Sequence, residues 1–259
     1  MEGAECATTT IRNLAEFYEF QESRQSDASG DLRTHGRKLA SGMLPAQAAF
    51  QLLKEFGISA TPMALAHSAD EAAAVVERIG FPVALKIESA QITHKSDVGG
   101  VALNLSDTAA VRGAYNQMIA DVSRRAPHAK LDGVVVQRMA REGVEMILGV
   151  KRDPLFGPVV LCGFGGILVE LLKDVSIGIP PLSRKHARDM LKRLRGFAIL
   201  GGVRGQPPAD IDALCDAIAG LSSLAWTFAD QLAGLDINPL IVLPEGQGVV
   251  AVDALVEIR

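Results

Sequence analysis

The chain has 259 residues and a formal net charge of −4, with 48% hydrophobic, 22% charged and 5% aromatic residues. That length supports one large domain or two small ones with a sizeable core. The acidic balance argues against a nucleic-acid surface, which needs a basic face, and the few aromatics argue against base-stacking platforms.

Met1–Thr10 carries two acids and no apolar leader core, so no signal peptide is expected. Ile11–Tyr18 has the pattern of a short amphipathic helix, and Gln21–Lys38 is polar and charged, as linkers are. Residues 1–44 are therefore expected to be a helix and a linker-like segment, as in the back half of something larger. From Pro45 the pattern alternates. Ala49, Phe50, Leu53 and Phe56 fall at helical spacing, and Gly57 stops the run. Ile58–Ala64 is short and extended around Pro62. Ser68–Glu71 has the capping-box signature, and its helix runs to Gly80. Phe81–Ile87 predicts a strand and Val101–Leu105 its hairpin partner. Asp107–Arg125 predicts a helix, and Gly133–Met139 and Val144–Val150 predict strands. Further strands are expected near Val159–Gly163 and Ile167–Leu171. Helices follow over about Arg184–Arg195 and Pro208–Ala229, with Pro208 in the first turn. Strands Leu235–Leu243 and Val249–Val256 close the chain around Pro244-Glu245-Gly246-Gln247-Gly248.

This mixed order means α/β or α+β. The longest uncharged runs, Gly157–Val169 and Ala217–Ala229, fall short of a membrane span of ~20 residues. Cys6, Cys162 and Cys215 are widely spaced and no CxxC occurs, which fits a reducing compartment without a disulfide framework or zinc site. The expectation is a cytoplasmic protein.

Several residues carry chemistry. Lys86 ends an apolar run, where a lysine serves as a point cation for phosphate; a solvated strand-end lysine is the plainer alternative. His94-Lys95-Ser96-Asp97-Val98-Gly99-Gly100-Val101 follows at once. Its glycines would let the backbone approach an anion and present N–H groups. There is no GxxxxGK[ST], so this is not a P-loop. His94 could accept a phosphoryl group, act as an acid or simply bond phosphate.

At the far end stand Asp236, Asn238 and Asp253. If the turn occupies 244–247, position 243 pairs with 248, and 238 then faces 253. Asp236 and Asn238 share one strand face, so three oxygen-bearing side chains would converge. Mg²⁺ takes a few such oxygens with phosphate oxygens and water; a polar strand end at the surface is the alternative. Gly163, Gly165 and Gly166 suggest a tight bend near a ligand, or a plain hairpin. Arg204, in Gly201-Gly202-Val203-Arg204-Gly205, offers a planar cation. Gln137 and the backbone near Met139 could face adenine, and Glu145 could reach a ribose hydroxyl or solvent.

Taken in order, Leu85-Lys86-Ile87, the His94–Val101 loop, Gly149–Pro158, Gly163–Gly166, Gly202–Gly205, Asp236–Leu240 and Val252–Ala254 resemble the NDP-forming acyl-CoA synthetases. That family includes ADP-forming acetate–CoA ligase and the β subunit of succinyl-CoA synthetase. The resemblance covers about residues 45–259. It implies an ATP-grasp fold, with ATP or ADP and Mg²⁺ clamped between subdomains at 45–138 and 139–259. It implies Lys86 as a phosphate ligand, Asn238 and Asp253 as Mg²⁺ ligands and His94 as a possible phosphoryl carrier, with Asp236 a neighbour. The implied reaction is acyl-CoA + ADP + phosphate ⇌ acid + CoA + ATP. It also implies a partner, a CoA-binding α-type subunit or domain with the principal phosphohistidine. The competing reading is a non-catalytic nucleotide-binding module of an acyltransferase-type assembly.

Overall fold

Apolar residues repeat at 111, 115, 118 and 122, which puts Val111, Tyr115, Met118 and Val122 on one helix face. Such repeats, and the two-residue alternation of the strands, build the molecule. The computed structural model describes residues 38–89, 91–92, 95–166, 174–203 and 205–259. The expected N-terminal helix, nearly all of the expected linker, His94, Arg204 and the expected strand Ile167–Leu171 lie outside the described residues.

Among the described residues, the strands form two antiparallel sheets. The smaller holds β2 (Met63–Ala66), β3 (Val83–Glu88), β4 (Val101–Leu105) and β5 (Gly133–Arg138), in the order β2-β5-β3-β4. Helices α2 (Ala69–Ile79) and α3 (Thr108–Arg125) bury Val75, Val76 and the 111–122 stripe against Val83, Leu85, Ile87, Val134 and Val136. Gly113 inside α3 costs about 1 kcal/mol of helix propensity. Each buried side chain of the stripe contributes roughly 1.5–3 kcal/mol, so packing decides that this segment is helical. The capping signature at Ser68 forms: its Oγ accepts from the Glu71 amide at 3.1 Å, and Glu71 Oε2 accepts from the His67 amide at 2.8 Å.

The larger sheet runs β1 (Gly42–Met43), β11 (Ala254–Ile258), β9 (Leu232–Val242), β6 (Val144–Asp153), β7 (Gly157–Phe164), β8 (Val175–Gly178), with β10 (Val249–Ala251) also on β9. Met146, Leu148, Val150, Val160 and Cys162 point to one face, onto α1 (Ala46–Glu55), α4 (Arg184–Lys192) and α5 (Ile211–Thr227). The chain switches sheets between Arg138 and Val144. The expected first subdomain at 45–138 needs correcting at its start. Ala49, Phe50, Leu52, Leu53 and Ile58 join the larger core, because α1 packs on β11 rather than on the smaller sheet. No described helix is long and apolar enough to cross a membrane.

The last helix begins at Ile211, later than expected, because Asp210 caps it. Asp210 Oδ1 accepts from the Ala213 amide at 3.0 Å and Oδ2 from the Gly248 amide at 2.9 Å, so one side chain clamps α5 to the β9–β10 turn. The Ala213 amide, and then those of Gly248 and Gly246, hold this carboxyl below the ordinary aspartate value despite its burial. A lowered folded-state value means stability that is present above the unfolded value and lost as pH falls through the folded one. Asp210→Ala is expected to cost about 1–2 kcal/mol at neutral pH, the usual range for a lost N-cap. In urea melts the gap to wild type should narrow as pH falls below about 4.

Candidate nucleotide site between the two sheets

Lys86 leaves β3 and crosses to the larger sheet. Its Nζ lies 3.2 Å from the Val252 carbonyl and 3.4 Å from Asp253 Oδ2. The lysine side chain is largely buried, 14% exposed against 42% for Asp253, so it is not a solvated strand-end lysine. The turn fixes the register that brings Asp253 there. The Leu243 amide donates to the Gly248 carbonyl at 3.0 Å and the Asn238 amide to the Asp253 carbonyl at 3.2 Å. Val249 pairs with Val242 and Ala254 with Ile237, so the predicted 243/248 and 238/253 pairs are those observed.

The expected strand Val249–Val256 is nevertheless broken at Val252 and Asp253. Pro239 stands opposite. Val252 donates its amide to the Pro239 carbonyl at 3.0 Å, but proline has no N–H to return. The Val252 carbonyl is thus left without a ladder donor, and Lys86 takes it.

Asp236 and Asn238 are exposed on the sheet face opposite the helices, with Ile237 buried between them. Burial of its surroundings, and then the nearby Asp253 carboxylate, push the Asp236 carboxyl above its ordinary range. Asp236 is therefore electrostatically tied to Asp253 rather than a bystander. Among the described residues, no three His, Cys, Asp or Glu form a ready-made metal cage. Two carboxylates and one amide oxygen would fit a partial shell, the kind Mg²⁺ completes with phosphate oxygens and water.

Beside Lys86 opens a cavity of about 600 Å³, within the usual size of small-molecule sites. Its wall includes Leu103, Met139, Ile199, Ile241 and Val242, with Lys86, Gln137 and Glu145 as polar members. The whole sheet-switching segment 138–145 lines it. Sequence reading found Gln137, Met139 and Glu145 but missed Arg138, Arg141 and Glu142. Their signal was the break between two predicted strands, since ligand sites gather where a rigid scaffold changes element.

Other expected residues stand differently. The Met139 amide donates to the Pro82 carbonyl at 2.9 Å, so it is already engaged. Gly165 donates to the Glu145 carbonyl at 2.7 Å. A Cβ on Gly166 would lie 3.0 Å from Glu145 Oε2. These two glycines back Glu145 rather than line the cavity. Gly99 and Gly100 likewise stay out of the cavity wall. Their amides donate within the loop, to Ser96 at 3.1 Å and Lys95 at 2.7 Å, rather than standing free for an anion. Gly99 has φ +75°, and a Cβ on Gly100 would meet Ile87 Cγ2 at 2.6 Å; turn geometry and packing require the pair. Lys95 turns back to Glu88 at 3.5 Å, and Glu88 Oε1 accepts from the Ala46 amide at 3.0 Å, joining β3 to the start of α1. Burial pushes the Cys162 thiol up to about 12 and also raises Cys215, so neither offers a thiolate.

A family model for the ATP-grasp domain matches residues 36–258. The chain is 41% identical over 219 residues to acetate–CoA ligase (ADP-forming) I of Archaeoglobus fulgidus, covering 85% of this chain and 31% of that protein. It is 38% identical over 209 residues to subunit beta of acetate–CoA ligase (ADP-forming) II of Pyrococcus furiosus, covering 81% of this chain and 89% of that one. It thus spans under a third of the first relative and most of the second. Among solved structures, dinucleotide-forming acetyl-coenzyme A synthetase 1 of Ca. Korarchaeum cryptofilum, in complex with coenzyme A and Ca-AMPCP, matches with TM-score 0.81 and 42% identity over 84% of this chain and 94% of that chain. A structure of that synthetase with coenzyme A and Mg-AMPPCP matches with TM-score 0.74 and 38% identity, over 84% and 93%.

Proposed function

The chain belongs to the ATP-grasp family, among relatives that include β subunits of ADP-forming acetate–CoA ligases, and on that premise we propose that it is the nucleotide-binding β-type subunit of an ADP-forming acyl-CoA synthetase. The reaction is acyl-CoA + ADP + phosphate ⇌ acid + CoA + ATP. The observation that carries this reading is Lys86, poised between the cavity and the Asp253 carboxylate. ATP or ADP takes the cavity, with its base toward the apolar wall and Glu145 near the ribose. Lys86 meets the phosphates. Asn238 and Asp253 hold Mg²⁺, with Asp236 beside them. When bound, Mg²⁺ supplies charge neutralisation for phosphoryl transfer.

His94 and Arg204 complete the set: His94 as acceptor of a phosphoryl group, Arg204 as a cation for it. Splitting acyl activation into phosphoryl hops is covalent catalysis. The thioester half requires a partner, a CoA-binding α-type subunit or domain with the principal phosphohistidine. The related proteins named as β subunits support this. The test is ATP formation from acyl-CoA, ADP and phosphate by the purified chain mixed with a CoA-binding partner. We expect activity only in the mixture, and at least tenfold less with His94→Asn. Nucleotide binding without synthesis in any mixture would favour the non-catalytic module instead.

A further inference from the structure

We propose that Gln137 and Thr61 are positioning residues that set the metal-binding aspartate, with both amide donors of Gln137 spent on that task rather than on the nucleotide base. The inference rests on the nucleotide–Mg²⁺ reading above.

The starting point is the carbonyl that Pro239 leaves unpaired. Val252 O has two lone pairs and nothing to receive from β9. Lys86 Nζ occupies one side at 3.2 Å and Gln137 Nε2 the other at 2.8 Å. A carbonyl only accepts, so it must be the amide nitrogen of Gln137 that faces it. The same nitrogen reaches Thr61 Oγ1 at 2.5 Å. Both amide hydrogens of Gln137 are therefore committed inside the protein. Gln137 is 2% exposed and Thr61 5%, too buried to exchange these partners for water.

Thr61 grips the same stretch through its backbone. Its amide donates to the Ala251 carbonyl at 3.0 Å, and the Ala251 amide donates to Ser59 at 2.8 Å. The smaller sheet thus reaches across at Gln137, and the segment before β2 reaches across at Ser59 and Thr61. Both hold residues 251–252, directly before Asp253. Lys86 is the member free to change partner. It can leave the Val252 carbonyl for a phosphate while Gln137 keeps that carbonyl in place. Asp253 then stays aimed at the metal.

A base reader and a positioner give opposite results. Gln137→Met keeps the length of the side chain and removes both donors; Thr61→Val removes the hydroxyl and keeps the shape. Binding of ADP and GDP is measured by calorimetry with Mg²⁺ and in EDTA, beside the thermal midpoint of the unliganded chain. We expect the tightening that Mg²⁺ brings to fall by about tenfold or more in Gln137→Met, the usual effect of losing a residue that orients a metal ligand. Thr61→Val should show a smaller loss of the same kind. In Thr61→Val, which lies outside the cavity wall, affinity in EDTA and the ADP-to-GDP ratio should stay as in wild type. A changed ADP-to-GDP ratio with the Mg²⁺ effect intact overturns the inference, and so does no change in either quantity. If Gln137→Met does not fold, Thr61→Val decides by the same criteria. Absence of nucleotide binding by the wild-type chain overturns the functional reading itself, and this inference with it.

Discussion

Lys86→Ala is expected to weaken Mg-ADP binding by roughly 10- to 100-fold while barely changing the stability of the unliganded chain. The two effects separate because the lysine has different partners in each state. Without ligand it makes one long ion pair, at 3.4 Å, to an Asp253 that is 42% exposed. Pairs of this kind contribute about 0–1 kcal/mol. Its other partner, the Val252 carbonyl, keeps Gln137, so no buried group is orphaned. A lysine that meets phosphate in the cavity makes charge-assisted hydrogen bonds worth about 1.5–3 kcal/mol, which is the stated loss in affinity. Calorimetric titration with Mg-ADP and a thermal melt without ligand check both halves. A melt that drops while the titration holds would make Lys86 a structural residue.

Asp253→Asn should move nucleotide binding in two directions at once. In EDTA it should tighten ADP binding by up to about fivefold, because Lys86 is released from an ion pair worth up to about 1 kcal/mol. With Mg²⁺ it should abolish most of the metal-dependent gain and lower activity of the assembled enzyme by about 100-fold or more, as metal-held charge in the transition state is worth several kcal/mol. Asp236 is affected too. Its carboxyl is pushed up partly by Asp253, so the variant should return it toward the ordinary range. Parallel titrations in EDTA and Mg²⁺ check the sign change. A variant weaker in both would show that the Lys86–Asp253 pair assembles the nucleotide site rather than competing with it.

Much of this corner was legible in the sequence. A turn of stated length fixes hairpin register, and register fixes which side chains face each other; hence Asn238 opposite Asp253 was readable from Pro244–Gly248 alone. The apolar run ending in Lys86 likewise marks the strand, although the strand continues past Lys86 to Glu88. Other features depend on partners that lie far off in the chain. Periodicity shows that Ala49, Phe50 and Leu53 line one helix face but not which of two sheets that face joins; it joins the larger. The glycines at 99 and 100 were visible as special, yet nothing local says that their amides close the turn instead of greeting an anion. Gln137 is expected from its strand position to face adenine; it lines the cavity, but its amide nitrogen is turned inward. Its bonds run to Thr61 and Val252, residues 76 and 115 positions away, and no local pattern carries that. The clue was present in Pro239: a proline in a central strand leaves an acceptor opposite without its donor, so some other group must supply it.

The most direct measurement is calorimetric titration of the purified chain with ADP and with ATP, each with Mg²⁺ and in EDTA. The account predicts saturable one-to-one binding, tightened by Mg²⁺ and weakened at least tenfold by Lys86→Ala. No binding in the presence of Mg²⁺, or binding that Lys86→Ala leaves unchanged, would contradict it.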